Sequence, residues 1–150
     1  MLSSLVTVRS MSETYELSCD CGHVTMTATG TPKVSLYCHC GSCRSLYSVD
    51  VLSATGWDDN DVQLPDEARL FVHTMTDKDM TRYGCPQCGM IMYGRHAPGI
   101  PVIPHGVFRK ANGGKLPAAL APSLHLFYRE RVLDVDDDLE KSMGGEALGM

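Results

Sequence analysis

The chain lacks several features that would assign it to common classes of protein. It has no apolar run approaching the roughly 18 residues of a membrane span. It has no cluster of lysine and arginine, and its formal net charge is −5, which argues against binding nucleic acid through phosphates. Its first residues are too few and too weakly apolar for a secretory signal. We therefore expect a cytoplasmic protein without membrane or nucleic-acid partners.

The length and composition suit one globular domain. The chain has 150 residues, of which 43% are apolar, enough to bury a core. We expect a zinc-binding domain over residues 15–140, an N-terminal extension over residues 1–14 and a flexible tail over residues 141–150. Because Met11 begins MSETYELSCDCG, which reads as a natural start, residues 1–10 are expected to be an upstream addition. The sequence does not predict an oligomeric state.

Short strands dominate the local sequence signals, and a mainly β fold with few short helices is expected. Alternating or β-branched residues recur between turn residues at intervals of about eight to twelve positions. Strands are predicted at residues 15–19, 23–30, 34–38, 46–54, 68–75, 80–84, 90–94, 101–108 and 123–132. A hairpin turn is predicted at TDKD (76–79), an edge strand or bend at Pro104, and an exposed loop over residues 110–122. Short helices are predicted at residues 58–62 and 136–142.

The seven cysteines form the strongest pattern in the sequence. They occur as C-x-C, C-x-C-x-x-C and C-x-x-C, and no cysteine follows the last pair. Clustered cysteines at such spacings, in a chain without a secretion signal, indicate metal ligands rather than a disulfide framework. In chain order these residues are Cys19, Cys21, Cys38, Cys40, Cys43, Cys85 and Cys88.

The first and last pairs suit a closed structural zinc site. Cys19 with Cys21, and Cys85 with Cys88, each lie in a tight turn whose second cysteine is followed by glycine. Four thiolates would fill the tetrahedral positions of zinc. A redox C-x-x-C is disfavoured, because MIMYG does not begin the helix that a thioredoxin-type motif needs.

A second partition of the cysteines fits the spacing equally well. A zinc ribbon would combine Cys40, Cys43, Cys85 and Cys88 and leave the other three cysteines over. We favour the first partition because it keeps the triplet whole. Cys38, Cys40 and Cys43 would then hold a second zinc with an open fourth position, as catalytic zinc sites do.

These motifs resemble the glutathione-dependent formaldehyde-activating enzyme family, which also includes centromere protein V. The matching stretches are SCDCGHV, YCHCGSCR, GCPQCGM and HLFYRERVLDVDDDL, within residues 15–140. The resemblance implies an Mss4-like fold of several coiled antiparallel β-sheets around a structural zinc. It also implies that Cys19, Cys21, Cys85 and Cys88 bind that zinc and that Cys38, Cys40 and Cys43 form the active site. Leu133 stands where the family often has tryptophan, and SLYSVD replaces a common small-residue run.

The chemistry implied by the resemblance is addition of glutathione to formaldehyde, a carbon–sulfur lyase reaction in reverse. The thiol would occupy the open zinc position, and His39, His73 or water would protonate the product oxygen. Arg44, beside the triplet, is the predicted contact for a glutathione carboxylate, with Arg82 and Arg95 as further candidates. His39 is expected to point away from the metal, because it lies between two ligands. Tyr47 is expected to narrow the pocket.

Two other functions are compatible with the cysteine pattern. A non-enzymatic zinc module for protein interaction or chaperoning would need only the closed site. Methionine sulfoxide reduction on a related fold would need a catalytic cysteine on a late strand, and this chain has none after Cys88.

Overall fold

The computed structural model describes residues 13–76, 79–96 and 99–149. Within these residues the chain forms eleven strands and two short helices, α1 (Gly41–Tyr47) and α2 (His105–Ala111). The mainly β class predicted from sequence is confirmed. The strands are β1 (Thr14–Ser18), β2 (Thr25–Thr29), β3 (Val34–Cys38), β4 (Leu52–Gly56), β5 (Val62–Gln63), β6 (Phe71–Thr74), β7 (Met80–Gly84), β8 (Ile91–His96), β9 (Pro101–Pro104), β10 (Leu124–Leu126) and β11 (Glu140–Lys141).

The strands form two sheets. The small sheet has the order β1-β2-β5, and the large sheet has the order β11-β10-β3-β4-β9-β8-β7-β6. Pairing is antiparallel except that β10 runs parallel to both β3 and β11. The large sheet therefore brings the last part of the chain beside β3, the strand that leads into the cysteine triplet.

Two apolar clusters fill the interior. In β1, Tyr15 and Leu17 alternate with exposed neighbours, so one face of the small sheet is apolar. That face packs with Trp57 and with Phe108 of α2 to form the larger cluster. The smaller cluster lies under β3, β4 and β10 and includes Cys38. Each cysteine region thus adjoins its own apolar cluster, since Cys19 and Cys85 belong to the larger one.

Several strand predictions are confirmed, and three are wrong in part. Residues 46 and 47, predicted as strand, end α1, because Cys40 caps a helix that buries Leu46. Residues 105–108, also predicted as strand, begin α2. Pro104 does mark the predicted bend, but β9 lies between β4 and β8 and is not an edge strand. The predicted strand at 123–132 ends at Leu126, because Phe127 takes the left-handed conformation, with φ of 52°.

The C-terminal region departs most from the sequence prediction. No helix forms at residues 136–142; the Asp137 carboxylate accepts the Leu139 N–H in a local turn, and β11 follows. Beyond β11, the backbone of Ser142 and Gly144 is hydrogen-bonded to residues 125–128. The predicted short helix near Asp58 is present as a 3₁₀ turn at Asp59–Asp61.

Some predictions fall on residues outside the described ranges. These are the N-terminal extension up to residue 12 and residues 77 and 78 of the predicted hairpin turn, although β6 and β7 do pair as a hairpin requires. The domain boundaries stay a prediction. None of the helices in the described residues has the length and apolar character to span a membrane.

Candidate functional site

The turns after β1 and β7 bring four cysteines together. The sulfur atoms of Cys19, Cys21, Cys85 and Cys88, the four-cysteine group, all lie within 4.8 Å of one another. Cys19 and Cys85 are fully buried, whereas Cys21 and Cys88 are exposed. The group therefore joins the small sheet to the large one at the margin of the larger apolar cluster.

In both turns, backbone N–H groups donate hydrogen bonds to a cysteine sulfur. The Val24 N–H donates to Cys19 Sγ at 3.2 Å, and the N–H groups of Gln87 and Cys88 donate to Cys85 Sγ at 3.3 and 3.4 Å. Gly22 and Gly89, which follow the second cysteine of each pair, both have φ of 80°. A side chain at either position would be strained, so each turn needs its glycine.

The chemistry of the four-cysteine group suits a thiophilic cation. Burial raises the pKa of the Cys19 thiol, but hydrogen bonds from the Val24 N–H and with the neighbouring sulfurs lower it by more. The net result is a pKa of about 6. Four sulfurs in reach of one point, with N–H donors to the thiolates, form the ligand set of a closed zinc site. The residues present therefore fit a structural zinc.

The junction of β3 and α1 brings the other three cysteines together. The sulfurs of Cys38, Cys40 and Cys43, the three-cysteine group, also lie within 4.8 Å of one another. Cys40 is the N-cap of α1, and its sulfur accepts the Cys43 N–H at 3.3 Å. Within the described ranges, no histidine, aspartate or glutamate supplies a fourth ligand atom to this group. Three sulfurs without a fourth ligand fit a metal site with an open position.

The three thiols cannot all ionise by themselves. Hydrogen bonds from the Cys38 and Cys43 thiols lower the pKa of Cys40. The same interactions raise the pKa of Cys38 and that of Cys43, since each keeps its proton beside a thiolate. A divalent cation bound by the three sulfurs would supply the charge that lets the thiols ionise together.

A cavity of about 520 Å³ opens onto the three-cysteine group. All three cysteines line it, and most of the remaining wall is apolar, with contributions from β3, β4, β9 and β10. Leu148, from the C-terminal segment, also lines it. This size lies within the usual range of small-molecule sites, so the group faces a chamber rather than open surface.

Few polar groups face the cavity, and most of those already have partners. The Tyr47 hydroxyl donates to the Val102 carbonyl at 3.4 Å, and burial raises its pKa. The Thr55 hydroxyl donates to Ile103 O at 3.1 Å. A Glu130 carboxylate oxygen accepts the Gly41 N–H at 3.0 Å. His96 completes the set of titratable side chains other than cysteine in the wall.

His39 belongs to a buried polar chain beside the triplet. Its Nε2 lies 2.8 Å from His125 Nδ1, and His125 Nε2 lies 2.8 Å from Asp137 Oδ2. Lys141 binds the other carboxylate oxygen at 2.9 Å. Lys141 and His125 hold the pKa of Asp137 well below its usual range, and burial lowers the pKa of His39 to about 4. His39 joins neither sulfur group, and its structural role stays a prediction.

The other predicted contacts lie away from the cavity. Arg44 donates to His39 O at 3.0 Å and Glu130 O at 3.2 Å, and borders a separate shallow depression. Arg82 binds the Leu46 carbonyl, and Arg95 binds Asp59. His73, on β6, is exposed. The carboxylate contact of Arg44 therefore stays a prediction.

The structure also settles which cysteines are neighbours and adds residues that sequence reasoning missed. Cys40 and Cys43 are not grouped with Cys85 and Cys88, so the alternative ribbon partition is not assembled. Glu130 and Phe127 at the cavity were not predicted, since both lie in a stretch expected to continue as strand. No turn residue marks that position, because phenylalanine rarely adopts positive φ.

Comparison with known proteins agrees with this arrangement. A family model described as glutathione-dependent formaldehyde-activating enzyme matches residues 14–130. No curated protein matches the chain significantly in sequence. A crystal structure of a Rhodobacter sphaeroides protein, a structural-genomics target, is similar with a TM-score of 0.45 and 15% identity, covering 68% of this chain and 97% of that one. A likeness at that level carries no functional argument.

Proposed function

Because the chain belongs to the glutathione-dependent formaldehyde-activating enzyme family, we propose that it makes and breaks the carbon–sulfur bond between a thiol and an aldehyde. The observation that supports this proposal is the three-cysteine group at the wall of a cavity. Glutathione is the thiol and formaldehyde the aldehyde that the family description indicates, and S-hydroxymethylglutathione is their product.

Zinc would be held at two places in this proposal. The four-cysteine group would hold a structural ion, and Cys38, Cys40 and Cys43 would hold a second ion with an open position. Bound there, zinc would act as a Lewis acid that lowers the pKa of an incoming thiol. The chain itself supplies the three sulfurs, the largely apolar cavity beside them, and strand β3, which ends at the buried Cys38.

The reaction balances as an addition. The thiol gives up its proton, its sulfur forms a bond to the carbonyl carbon, and the electron pair of the C=O bond moves to oxygen. That oxygen then takes up a proton, so the net change carries the thiol proton to oxygen. Neither His39 nor His73 lines the cavity, so the proposed proton sources are water, Tyr47 and His96. The reverse reaction cleaves the carbon–sulfur bond and returns the proton, which is the lyase direction.

Zinc content and thiol protection test the proposal together. We expect two zinc ions per chain in the parent protein, one in Cys40→Ser and two in Ser45→Ala, a control on the exposed side of α1. Glutathione should slow alkylation of Cys38, Cys40 and Cys43 in the parent, and NMR should show accelerated formation of S-hydroxymethylglutathione. A parent with one zinc per chain, whose alkylation is unaffected by thiols, would contradict it.

A further inference from the structure

Most of the residues that line the cavity are apolar. Leu36, Leu52, Ile100, Val102, Leu126 and Phe127 all contribute to it. Several of these residues belong to the smaller apolar cluster that also contains the cysteines of the triplet. An occupant of the cavity therefore meets aliphatic and aromatic carbon on most sides, with the sulfurs at one wall.

The cavity lacks the charges that a peptide-like thiol would need. Among its described lining residues none is lysine or arginine, and the only carboxylate is that of Glu130. Glutathione carries two carboxylates and an ammonium group, and burying them unpaired is costly. The Glu130 carboxylate would also repel its carboxylates. Its charged parts therefore do not match this chamber.

The volume is also too large for the one-carbon aldehyde alone. Formaldehyde has two heavy atoms and fills on the order of 60 Å³, about twice the share of a water molecule. The cavity measures about 520 Å³. Empty apolar volume destabilises a protein, so a chamber of this kind beside reactive groups indicates an apolar occupant.

Backbone strain at one wall residue supports the same conclusion. Phe127 has φ of 52°, a conformation that is unfavourable for a residue with a bulky side chain. Its N–H donates to Gly144 O at 3.0 Å, and the next N–H, of Tyr128, donates to Ser142 O at 2.9 Å. The C-terminal segment thus holds Phe127 in a strained position where its side chain contributes to the cavity.

We infer that the carbon–sulfur adduct handled at the three-cysteine group carries an apolar alkyl or aryl group of several carbons, and that this group occupies the cavity. The inference rests on the proposed function for its chemistry. The apolar group could enter on the thiol or on the aldehyde, and the two sources are separated by experiment.

A homologous series of thiols measures the cavity directly. Ethanethiol, butanethiol and hexanethiol are compared with glutathione for protection of Cys38, Cys40 and Cys43 from iodoacetamide, read by peptide mass spectrometry. Each added methylene should lower the half-protecting concentration about fourfold, because its burial is favourable. The four-cysteine group in the same sample is the internal control for unspecific effects. Equal protection across the series, or stronger protection by glutathione, would overturn the inference.

The source of the apolar group is identified by turnover. The reference reaction is that of glutathione and formaldehyde. The first arm replaces glutathione by hexanethiol, and the second arm replaces formaldehyde by hexanal. NMR detects the hemithioacetal in each case. A gain of tenfold or more in kcat/KM in the first arm assigns the group to the thiol, and in the second arm to the aldehyde. No gain in either arm overturns the inference.

A matched pair of substitutions localises the effect. Ile100→Arg places a cation in the cavity wall, whereas Val72→Arg places one on β6, where Val72 is 43% exposed and outside the cavity. Ile100→Arg should weaken hexanethiol protection at least tenfold without weakening glutathione, and Val72→Arg should change neither. Identical behaviour of the two variants counts against the assignment.

A non-reactive alcohol distinguishes failure of this inference from failure of the proposed function. 1-Hexanol should raise the Tm of the parent more than ethanol does at equal concentration, and less so in Ile100→Arg. Binding of 1-hexanol with no thiol effect on labelling would refute the thiol chemistry but keep the apolar specificity. Thiol protection without any dependence on chain length would keep the chemistry and refute the specificity.

Discussion

Individual hydrogen bonds select the tautomer of neutral His105, a buried residue at the start of α2. Ser35 donates its hydroxyl proton to Leu120 O at 2.6 Å, so His105 Nε2, 2.8 Å away, must be the donor to Ser35. The other ring nitrogen then accepts from the Ser53 hydroxyl. Neutral His105 is thus fully satisfied. Burial, with a smaller effect of Arg109, lowers its pKa to about 4.

This placement makes stability depend on pH. An unfolded histidine takes up a proton near pH 6.5, whereas folded His105 does so only near pH 4. The stabilisation is therefore complete above about pH 6.5 and is lost as the pH falls towards 4. The free energy of unfolding should fall between pH 7.5 and pH 5.5 in the parent protein. We expect this fall to be smaller by roughly 1 kcal/mol in His105→Gln.

Urea denaturation at the two pH values measures this difference, with zinc content determined at each. His73→Gln, at an exposed position of β6, is the control and should keep the pH dependence of the parent. An unchanged pH dependence in His105→Gln would show that His105 titrates normally in the folded protein. His39, also buried, contributes a further pH-dependent loss of the same sign.

Among the elements, α1 shows both the reach and the limit of sequence reasoning. The spacing of Cys38, Cys40 and Cys43 predicted that these cysteines act together, because the motif is local. The helix that carries Cys43 was not predicted, since seven residues give too little periodicity to outweigh the alternation that follows. The strand predicted through residue 132 failed for another reason. Its end is imposed by distant backbone contacts of Phe127 and Tyr128, which no local pattern records.

The same distinction applies to the site as a whole. The two cysteine groups were predictable because the close spacing of cysteines that could share a metal ion is visible in the sequence itself. The cavity was not, because its wall combines β3, β4, β9, β10 and the C-terminal segment, which meet only through the order of strands in the large sheet.

Arg44 ties α1 to the segment after β10. Its guanidinium donates to two backbone carbonyls, at His39 and Glu130. We expect Arg44→Gln to lower the free energy of unfolding by about 1 kcal/mol. This corresponds to roughly 2–4 °C in Tm for a chain of this size.

Thiol protection then shows whether Arg44 also binds a carboxylate. In Arg44→Gln, the ratio of protection by glutathione to protection by uncharged 2-mercaptoethanol should stay within about twofold of the ratio in the parent protein. The control is Arg109→Gln, at an exposed position of α2, and its ratio should also stay within that range. A selective tenfold loss for glutathione would instead give Arg44 the carboxylate-binding role that its place in the sequence predicts.

For the molecule as a whole, the two cysteine groups differ in how distant the parts of the chain are that they bring together. The four-cysteine group links the small sheet to the large one across long chain separations, such as the 64 residues between Cys21 and Cys85. The three-cysteine group lies within one short segment and cross-links nothing distant. With a zinc ion bound in each group, as proposed, loss of a cysteine from the first group should therefore cost far more stability than loss from the second.

Thermal unfolding of two variants checks this difference. Cys88→Ser should lower Tm by about 10 °C or more, which corresponds to roughly 3 kcal/mol or more, whereas Cys43→Ser should lower it by only a few degrees. Incubation with a strong zinc chelator should reduce the Tm of Cys43→Ser much further and that of Cys88→Ser little. Equal losses in the two variants would show that the four-cysteine group does not hold the sheets together.

Trp57 gives the molecule a built-in optical reporter. It is the single tryptophan of the chain and is fully buried, stacked on Phe108 with ring centroids 5.9 Å apart. Its indole N–H donates at 2.7 Å to the hydroxyl of Thr55, a residue that also lines the cavity. One fluorophore thus sits in the larger apolar cluster with its polar end bonded to the wall of the chamber. Unlabelled protein can therefore report both unfolding and occupancy of the cavity through the emission of a single indole.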